Sequence, residues 1–177
     1  MAFAALHETE RAWELLAMIN PINHADSPEA LATYRAEPYV VAADVYAVAP
    51  HTGRGGWSWY TGSAGWMYRL ILESLLGVSR EADRLRFAPC LPANWPSCEI
   101  RYRYGETIYR ITLRHGSTPD VPASVHVDGI VRPERSVPLV DDRQEHIVEV
   151  VVAAVSREST STGNGRAPDR FTASRAA

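Results

Sequence analysis

The stretch His51-Thr-Gly-Arg-Gly-Gly-Trp-Ser-Trp-Tyr-Thr-Gly-Ser-Ala-Gly-Trp-Met-Tyr-Arg69 decides the architecture of this 177-residue chain. Its glycines let the backbone approach a ligand closely, and its tryptophans and tyrosines offer the flat apolar faces on which sugar rings stack. Thr61-Gly62-Ser63 opens a segment, 64–76, that is apolar nearly all round and predicts a buried helix. The first amides of a helix lack partners and its dipole favours negative charge, which predicts an anion pocket here. The stretch therefore indicates chemistry on a sugar and a phosphate.

The flanking sequence divides into a helical part and a strand part. Before the glycine loop, the periodicity of 1–20 predicts one helix, Ser27 followed by proline predicts a capped helix over 28–34, and a third helix is expected over 38–45. From Leu85 the apolar period becomes two, which predicts an antiparallel β-sandwich with a hairpin turn at Gly105. We therefore expect helices over 1–84, a β domain over 85–155 and a disordered, Ser- and Thr-rich tail over 156–177.

Composition excludes several classes of protein. Hydrophobic residues make up 46% of the chain and the net charge is -3, so a sizeable core is expected and a nucleic-acid partner is not. No apolar run has transmembrane length and no signal peptide is recognisable, which favours a cytoplasmic protein. Cys90 and Cys98 are expected to be reduced and inert. His24, Asp26 and His51 lack the spacing of a zinc site, so no metal and no cofactor is expected.

Several motifs carry a family resemblance. The segment Tyr34-Arg-Ala-Glu-Pro-Tyr-Val-Val-Ala-Ala-Asp-Val-Tyr46, the glycine loop and Trp59-Tyr-Thr-Gly-Ser-Ala-Gly-Trp66 resemble the C-terminal end of family 94 glycoside phosphorylases. The similarity is greatest to the phosphorylase-like domains of cyclic β-1,2-glucan synthetases, and segments 85–96 and 102–109 resemble the same group. The resemblance implies an (α/α)6 barrel followed by a β domain. It also implies cleavage of β-glucosidic bonds by inorganic phosphate, with inversion and release of a sugar 1-phosphate.

The resemblance also implies roles for particular residues. Thr61 and Gly62 match the pair that holds phosphate in the family. Glu37 lies in a segment that lines the sugar cleft of relatives, so we expect it to accept hydrogen bonds from glucose hydroxyls, with Asp44 as a second candidate. Trp59 is expected to approach the sugar. No acidic residue stands in the motif of the family's general acid, so no catalytic residue is assigned.

Each of these residues also has a purely structural interpretation. The Thr61-Gly62-Ser63 segment is also a good helix N-cap, and Glu37 is also typical of a surface or capping carboxylate. Trp66 is expected in the core, and Tyr39 is expected to pack rather than to contact ligand. His51 and Arg54 are interpreted as structural or solvated loop residues.

These features together predict a C-terminal fragment of a glycoside phosphorylase or glucan synthetase acting on β-linked glucose oligomers or polymers. The family's acid, arginine and histidine would precede Met1, so the chain alone is expected to be inactive and to pair with the upstream half of a barrel or with a second copy. A fragment of an inverting glycoside hydrolase and a non-catalytic carbohydrate-binding module are the alternatives. A truncated relic, a misassigned start and half of a split enzyme all fit the sequence.

Overall fold

The structure is a computed structural model that describes residues 1–37, 39–60, 62–117 and 123–153. The predicted tail, 156–177, and Thr61 lie outside the described residues. The helices are α1 (Ala2–Ala5), α2 (Thr9–Ile19), a 3-10 turn (Pro21–His24), α3 (Pro28–Tyr34), α4 (Ser63–Arg69) and a π-helix (Leu70–Leu75). The strands are β1 (Val78–Glu81), β2 (Arg84–Phe87), β3 (Ser97–Tyr104), β4 (Thr107–His115), β5 (Ser124–Val127), β6 (Ile130–Arg132), β7 (Ser136–Pro138) and β8 (Glu145–Val152).

The prediction of a single helix over 1–20 is wrong, because the helix is interrupted at His7. That residue has φ +60° and its amide donates to the carbonyl of Ala4, while the amide of Glu8 donates to the carbonyl of Phe3. A left-handed residue with backward bonds of this kind closes a helix. No glycine marks the break in the sequence, which is why the periodicity did not reveal it.

The capped helix over 28–34 is confirmed. The Ser27 hydroxyl oxygen accepts a hydrogen bond from the amide of Ala30 at 3.1 Å, and proline occupies the first turn. Tyr34 ends the helix with only 1% of its surface exposed and stacks on His24, with ring centroids 4.9 Å apart. This end of α3 is the fixed point from which the candidate site is built.

The helix expected over 38–45 is wrong, since residues 39–45 contain no helix. Their backbone bonds run across to the glycine loop: the amide of Ala43 donates to the carbonyl of Trp57 at 2.7 Å, and Val45 forms a β-bridge with Gly55. Three valines in this short segment favour an extended backbone, and the cross-links supply its hydrogen bonds.

The helix predicted over 64–76 is present as α4 continued by the π-helix, and it ends at Gly77 with φ +65°. The expectation that Trp66 lies in the core is wrong, because 59% of its surface is exposed. The Arg69 guanidinium lies over its ring, 5.2 Å from the centroid. Within the described residues it is the π-helix that packs on α1, α2 and β1, and no residue of α4, which carries Trp66, is buried.

In the described residues the strands form two sheets. One has the order β1-β2-β7 and the other β3-β4-β8-β5-β6. The β3–β4 hairpin turns at Gly105, with φ +59°, as predicted. The sheets are antiparallel except for one pair, β4 with β8, which is parallel. A fully antiparallel domain was therefore a wrong expectation: β8 returns after the β5–β6 hairpin and β7 and inserts between β4 and β5.

Two hydrophobic clusters hold the structure together. The larger contains buried side chains of both sheets, among them Leu85, Val137, Ile111, Leu113 and Val148, so the two sheets share one core. The smaller joins α1, α2 and the π-helix to the segment after β2, through Ala4, Leu16, Leu75 and Cys90. None of the described helices combines the length and the hydropathy needed to cross a bilayer.

Candidate functional site

The candidate site is carried by a loop that folds back along residues 43–46. The carbonyl of Asp44 accepts a hydrogen bond from the amide of Gly56 at 2.8 Å, and the amide of Gly55 donates to the carbonyl of Tyr34 at 2.7 Å. These bonds fasten the loop to the end of α3. As a result, residues 57–60 lie on the side of the loop that faces Glu37.

Two glycines allow this close fit. A Cβ atom at Gly56 would lie 2.1 Å from Oδ1 of Asp44, and one at Gly55 would lie 3.0 Å from the Cβ of Ala36 and from the ring of Tyr34. The Asp44 carboxylate therefore lies directly over the backbone of Gly56. The glycine pair seen in the sequence serves close packing at this point.

Glu37 is the best-anchored acidic residue of the loop region. Its Oε1 accepts a hydrogen bond from the indole N–H of Trp59 at 3.0 Å, and its Oε2 accepts one from the Ser58 hydroxyl at 3.4 Å. The indole N–H of Trp59 is the main cause that lowers the pKa of the Glu37 carboxyl below its usual value. Glu37 is therefore ionised at neutral pH.

Four aromatic side chains around Glu37 are open to solvent: Tyr39, Trp57, Trp59 and Tyr60. The rings of Tyr39 and Trp59 meet edge to face, with centroids 6.4 Å apart and planes at 74°. Trp57 and Tyr60 lie 6.0 Å apart with planes at 33°. Large aromatic faces left in water on one loop are typical of a binding surface. The expectation that Tyr39 packs is wrong, because 74% of its surface is exposed.

The segment that was expected to bind phosphate is described only in part. Thr61 lies outside the described residues, whereas Gly62 is the N-cap residue of α4 and its carbonyl accepts a hydrogen bond from the amide of Trp66 at 2.8 Å. The amide of Ser63 donates to the carbonyl of Tyr60 at 3.2 Å. No side chain caps this helix in the described residues. Among the described residues, the nearest atom to a Cβ built at Gly62 would be Cδ1 of Trp66, at 3.5 Å.

The structure thus brings together some of the residues singled out from the sequence. Glu37 and Trp59 are in direct contact, Asp44 lies at Gly56, and Gly62 follows Trp59 by three residues. The contact made by Ser58 was not predicted, because a serine between two tryptophans carries no signal of its own.

Other side chains near the loop add no obvious chemistry. His51 and Arg54 are exposed, and His51 lies 6.1 Å from the ring of Tyr46. Within residues 1–37, 39–60, 62–117 and 123–153, no three His, Cys, Asp or Glu side chains are grouped so that they could hold a metal ion.

The family model that matches this chain and the proteins similar to it point to the same family. Residues 1–77 match the catalytic domain of the glycosyl hydrolase 94 superfamily. The chain is 45% identical over 122 residues, 69% of its length, to the cyclic beta-(1,2)-glucan synthase NdvB of Rhizobium meliloti, and spans 4% of that protein. It is 30% identical over 116 residues to the solabiose phosphorylase of Paenibacillus borealis, matching 64% of this chain and 15% of the enzyme. It is 32% identical over 116 residues to the N,N'-diacetylchitobiose phosphorylase of Vibrio furnissii, matching 65% of this chain and 14% of the enzyme. The resemblance drawn from the loop motifs is confirmed, and the chain spans only a small part of these relatives.

Proposed function

Because residues 1–77 belong to the glycosyl hydrolase 94 superfamily, we propose that this chain supplies the sugar-facing and phosphate-facing loop of a glycoside phosphorylase or β-glucan synthase type of catalytic unit. Its substrate is a β-linked glucose oligomer or polymer, and inorganic phosphate is the co-substrate. The β-1,2 linkage is favoured because the glucan synthase is 45% identical. The observation that carries the proposal is the exposed aromatic cluster of the loop, held beside an ionised Glu37.

The sugar side is assigned to Trp59, Glu37 and Asp44. An indole face offers apolar area to the C–H side of a pyranose ring, and Trp59 keeps 66% of its surface exposed. Carboxylates accept hydrogen bonds from sugar hydroxyls. A carboxylate has about four acceptor positions, and on Glu37 the Trp59 indole and the Ser58 hydroxyl each occupy one.

The phosphate side is assigned to Thr61 and Gly62 by the family motif. A glycine at the start of a helical segment leaves room for an anion to approach the backbone. The nearest described atom to a Cβ built at Gly62 would be Cδ1 of Trp66, at an ordinary van der Waals distance of 3.5 Å.

Glu37 is not proposed as the general acid. An acid must be protonated to give its proton to the leaving oxygen, and the lowered pKa of Glu37 keeps it ionised. We propose that the acid comes from elsewhere in the catalytic unit, and that the chain alone binds sugar and phosphate without releasing a sugar 1-phosphate.

The helical part is proposed to complete an (α/α)6 barrel with further helices or with a partner chain. Large apolar side chains on α1, α2 and the turn after α2 lie open to solvent, including Leu6 at 70% and Ile22 at 64%. Exposed apolar patches of this kind favour association, and a homodimer of the isolated chain would be one form of it.

Calorimetric titration of the chain with a β-1,2-linked glucose oligosaccharide, with and without inorganic phosphate, tests the proposal. We expect the chain to bind the oligosaccharide with an affinity that depends on phosphate. Trp59→Ala should weaken this binding, and Thr61→Val should make it independent of phosphate. Tyr68→Ala, which removes an equally exposed aromatic ring from α4, is the matched control and should bind as the wild type does. Sugar binding that ignores both phosphate and Thr61→Val would instead favour a carbohydrate-binding module. No binding at all would refute the proposal.

A further inference from the structure

The backbone at Trp59 is unusual for a bulky residue. Its φ is +64°, in the left-handed region that residues other than glycine rarely adopt. Such a conformation is costly for a residue with a side chain and persists only where surrounding contacts hold it. With two thirds of the side chain in solvent, packing alone does not hold it.

The contact that does hold it is the Glu37 carboxylate. One oxygen accepts the indole N–H at 3.0 Å and the other accepts the hydroxyl of the preceding residue, Ser58, at 3.4 Å. A hydrogen bond to a charged group is stronger than a neutral one, and two donors from adjacent residues fix both the ring and the local chain direction.

Glu37 is itself tied to the rigid part of the molecule. It follows the buried Tyr34 by three residues, and its carbonyl accepts a hydrogen bond from the amide of the buried Val40 at 3.1 Å. The carboxylate therefore links the exposed ring of Trp59 to the end of α3.

The second ring of the arrangement comes from the same segment. Tyr39 presents its ring to Trp59 edge to face, with planes at 74°. Two exposed rings nearly at right angles form an open corner with two apolar walls. A pyranose chair has apolar C–H faces and polar edges, so one hexose ring fits such a corner with its hydroxyls directed to water and to the acceptor positions left on Glu37.

We propose that Glu37 is a positioning residue, which holds the Trp59 indole at a fixed angle to Tyr39 so that the two rings bind one hexose unit. The inference rests on the proposed function, and it gives Glu37 a second role that acts through Trp59. Loss of the carboxylate should therefore weaken sugar binding by more than the loss of its own hydrogen bonds to the sugar.

Indole N–H signals in a ¹H–¹⁵N NMR spectrum test the positioning without any ligand. Glu37→Ala should move the Trp59 signal to the position of a free indole, and Glu37→Gln, which keeps an acceptor oxygen, should leave it closer to the wild type. The Trp13 indole, which donates to the carbonyl of Cys90 at 2.7 Å, serves as an internal control for folding. Glu29→Gln, at an exposed glutamate of α3, is the control for loss of charge and should leave the Trp59 signal unchanged.

Sugar titrations then test the consequence. Glu37→Ala should weaken hexose binding by about tenfold, the loss expected for one hydrogen bond to a charged group, with Glu37→Gln recovering much of it. In a Trp59→Phe background, which keeps a ring but removes the N–H donor, Glu37→Ala should weaken binding less than it does in the wild type, because the part of its effect that acts through the indole is already lost. A Trp59 signal indifferent to Glu37→Ala, or fully additive losses in the two variants, would overturn the positioning role. A wild-type chain that binds no sugar but shows the expected Trp59 shift would refute the proposed function and the hexose corner while leaving the positioning of the ring intact.

Discussion

Gly77→Ala is expected to be among the most damaging small substitutions in this chain. Gly77 joins the π-helix to β1 and has φ +65°. A Cβ atom there would lie 2.1 Å from the carbonyl oxygen and 2.2 Å from the carbonyl carbon of Ala88. These are main-chain atoms, and they cannot rotate away as the end of a side chain can.

The expected loss follows from two contributions. An alanine in the left-handed region costs about 1 kcal/mol. Relieving the clash requires the 77 and 88 backbones to separate, which strains the hydrogen bond from the amide of Ala88 to the carbonyl of Gly77, 2.8 Å long; overpacking and a lost bond together cost about 2 kcal/mol. The free energy of unfolding should therefore fall by roughly 3 kcal/mol.

Urea unfolding followed by tryptophan fluorescence measures this loss, and two other glycines provide matched controls. Gly129 has φ +79° with nothing within 4 Å of a built Cβ, so Gly129→Ala should cost only the conformational part, about 1 kcal/mol. Gly65 lies inside α4 with open space around it, so Gly65→Ala should stabilise by about 0.5–1 kcal/mol. If Gly77→Ala costs no more than Gly129→Ala, the close approach of the two backbones is refuted.

Three further predictions concern the β domain. His146 donates towards Asp128 from Nδ1 at 2.7 Å and towards Asp142 from Nε2 at 3.1 Å. Asp128 is the main cause that raises the pKa of His146 above 6.5, and His146 is the main cause that lowers the pKa of Asp128 below 3.8. The stabilisation that comes from the raised pKa of His146 is fully present below pH 6.5 and is lost as the pH rises through the pKa of this imidazole in the folded state. The stabilisation that comes from the lowered pKa of Asp128 is present above pH 3.8 and is lost in acid. His146→Gln should thus destabilise most between these two pH values, and a loss that does not vary with pH would contradict the ion pairs. Burial is the main cause that raises the pKa of the Cys98 thiol above 9.0, and the charge of Glu99 adds to it. Iodoacetamide at pH 8 should therefore modify Cys98 more slowly than a cysteine in a short peptide. Equal rates would contradict the raised pKa. Leu113 is fully buried between the sheets, and Leu113→Ala should lower the unfolding free energy by about 2–5 kcal/mol in the urea assay, with a smaller loss arguing against the shared core.

The sequence was most informative where a local rule acts alone. Ser27 before a proline predicted the capped start of α3, and the alternation around Gly105 predicted the β3–β4 hairpin, because both depend on neighbouring residues. The parallel pairing of β4 with β8 could not be predicted in that way. The pairing depends on where β8, which is distant in the sequence, inserts into the sheet. The alternation of apolar and polar residues is the same in a parallel and in an antiparallel strand.

The site was predicted in its residue types but not in its contacts. The aromatic residues and Glu37 were identified by the motif, yet the bond from the Trp59 indole to Glu37 joins positions 22 residues apart across a loop with no regular structure. The exposure of Trp66 was missed for another reason. An apolar helix is expected to be covered on all sides, whereas in the described residues its π-helical continuation packs on other elements and α4 has no buried residue.

The central claim is that the loop from Glu37 to Gly62 binds a sugar beside a phosphate. The most direct measurement is a ¹H–¹⁵N NMR titration of the labelled chain with a β-1,2-linked glucose oligosaccharide and inorganic phosphate. The account predicts that the indole signal of Trp59 shifts with sugar and the amide signal of Gly62 shifts with phosphate, while the indole of Trp13 stays in place. Shifts confined to the β domain, or no shift at Trp59 and Gly62 at saturating ligand, would contradict it.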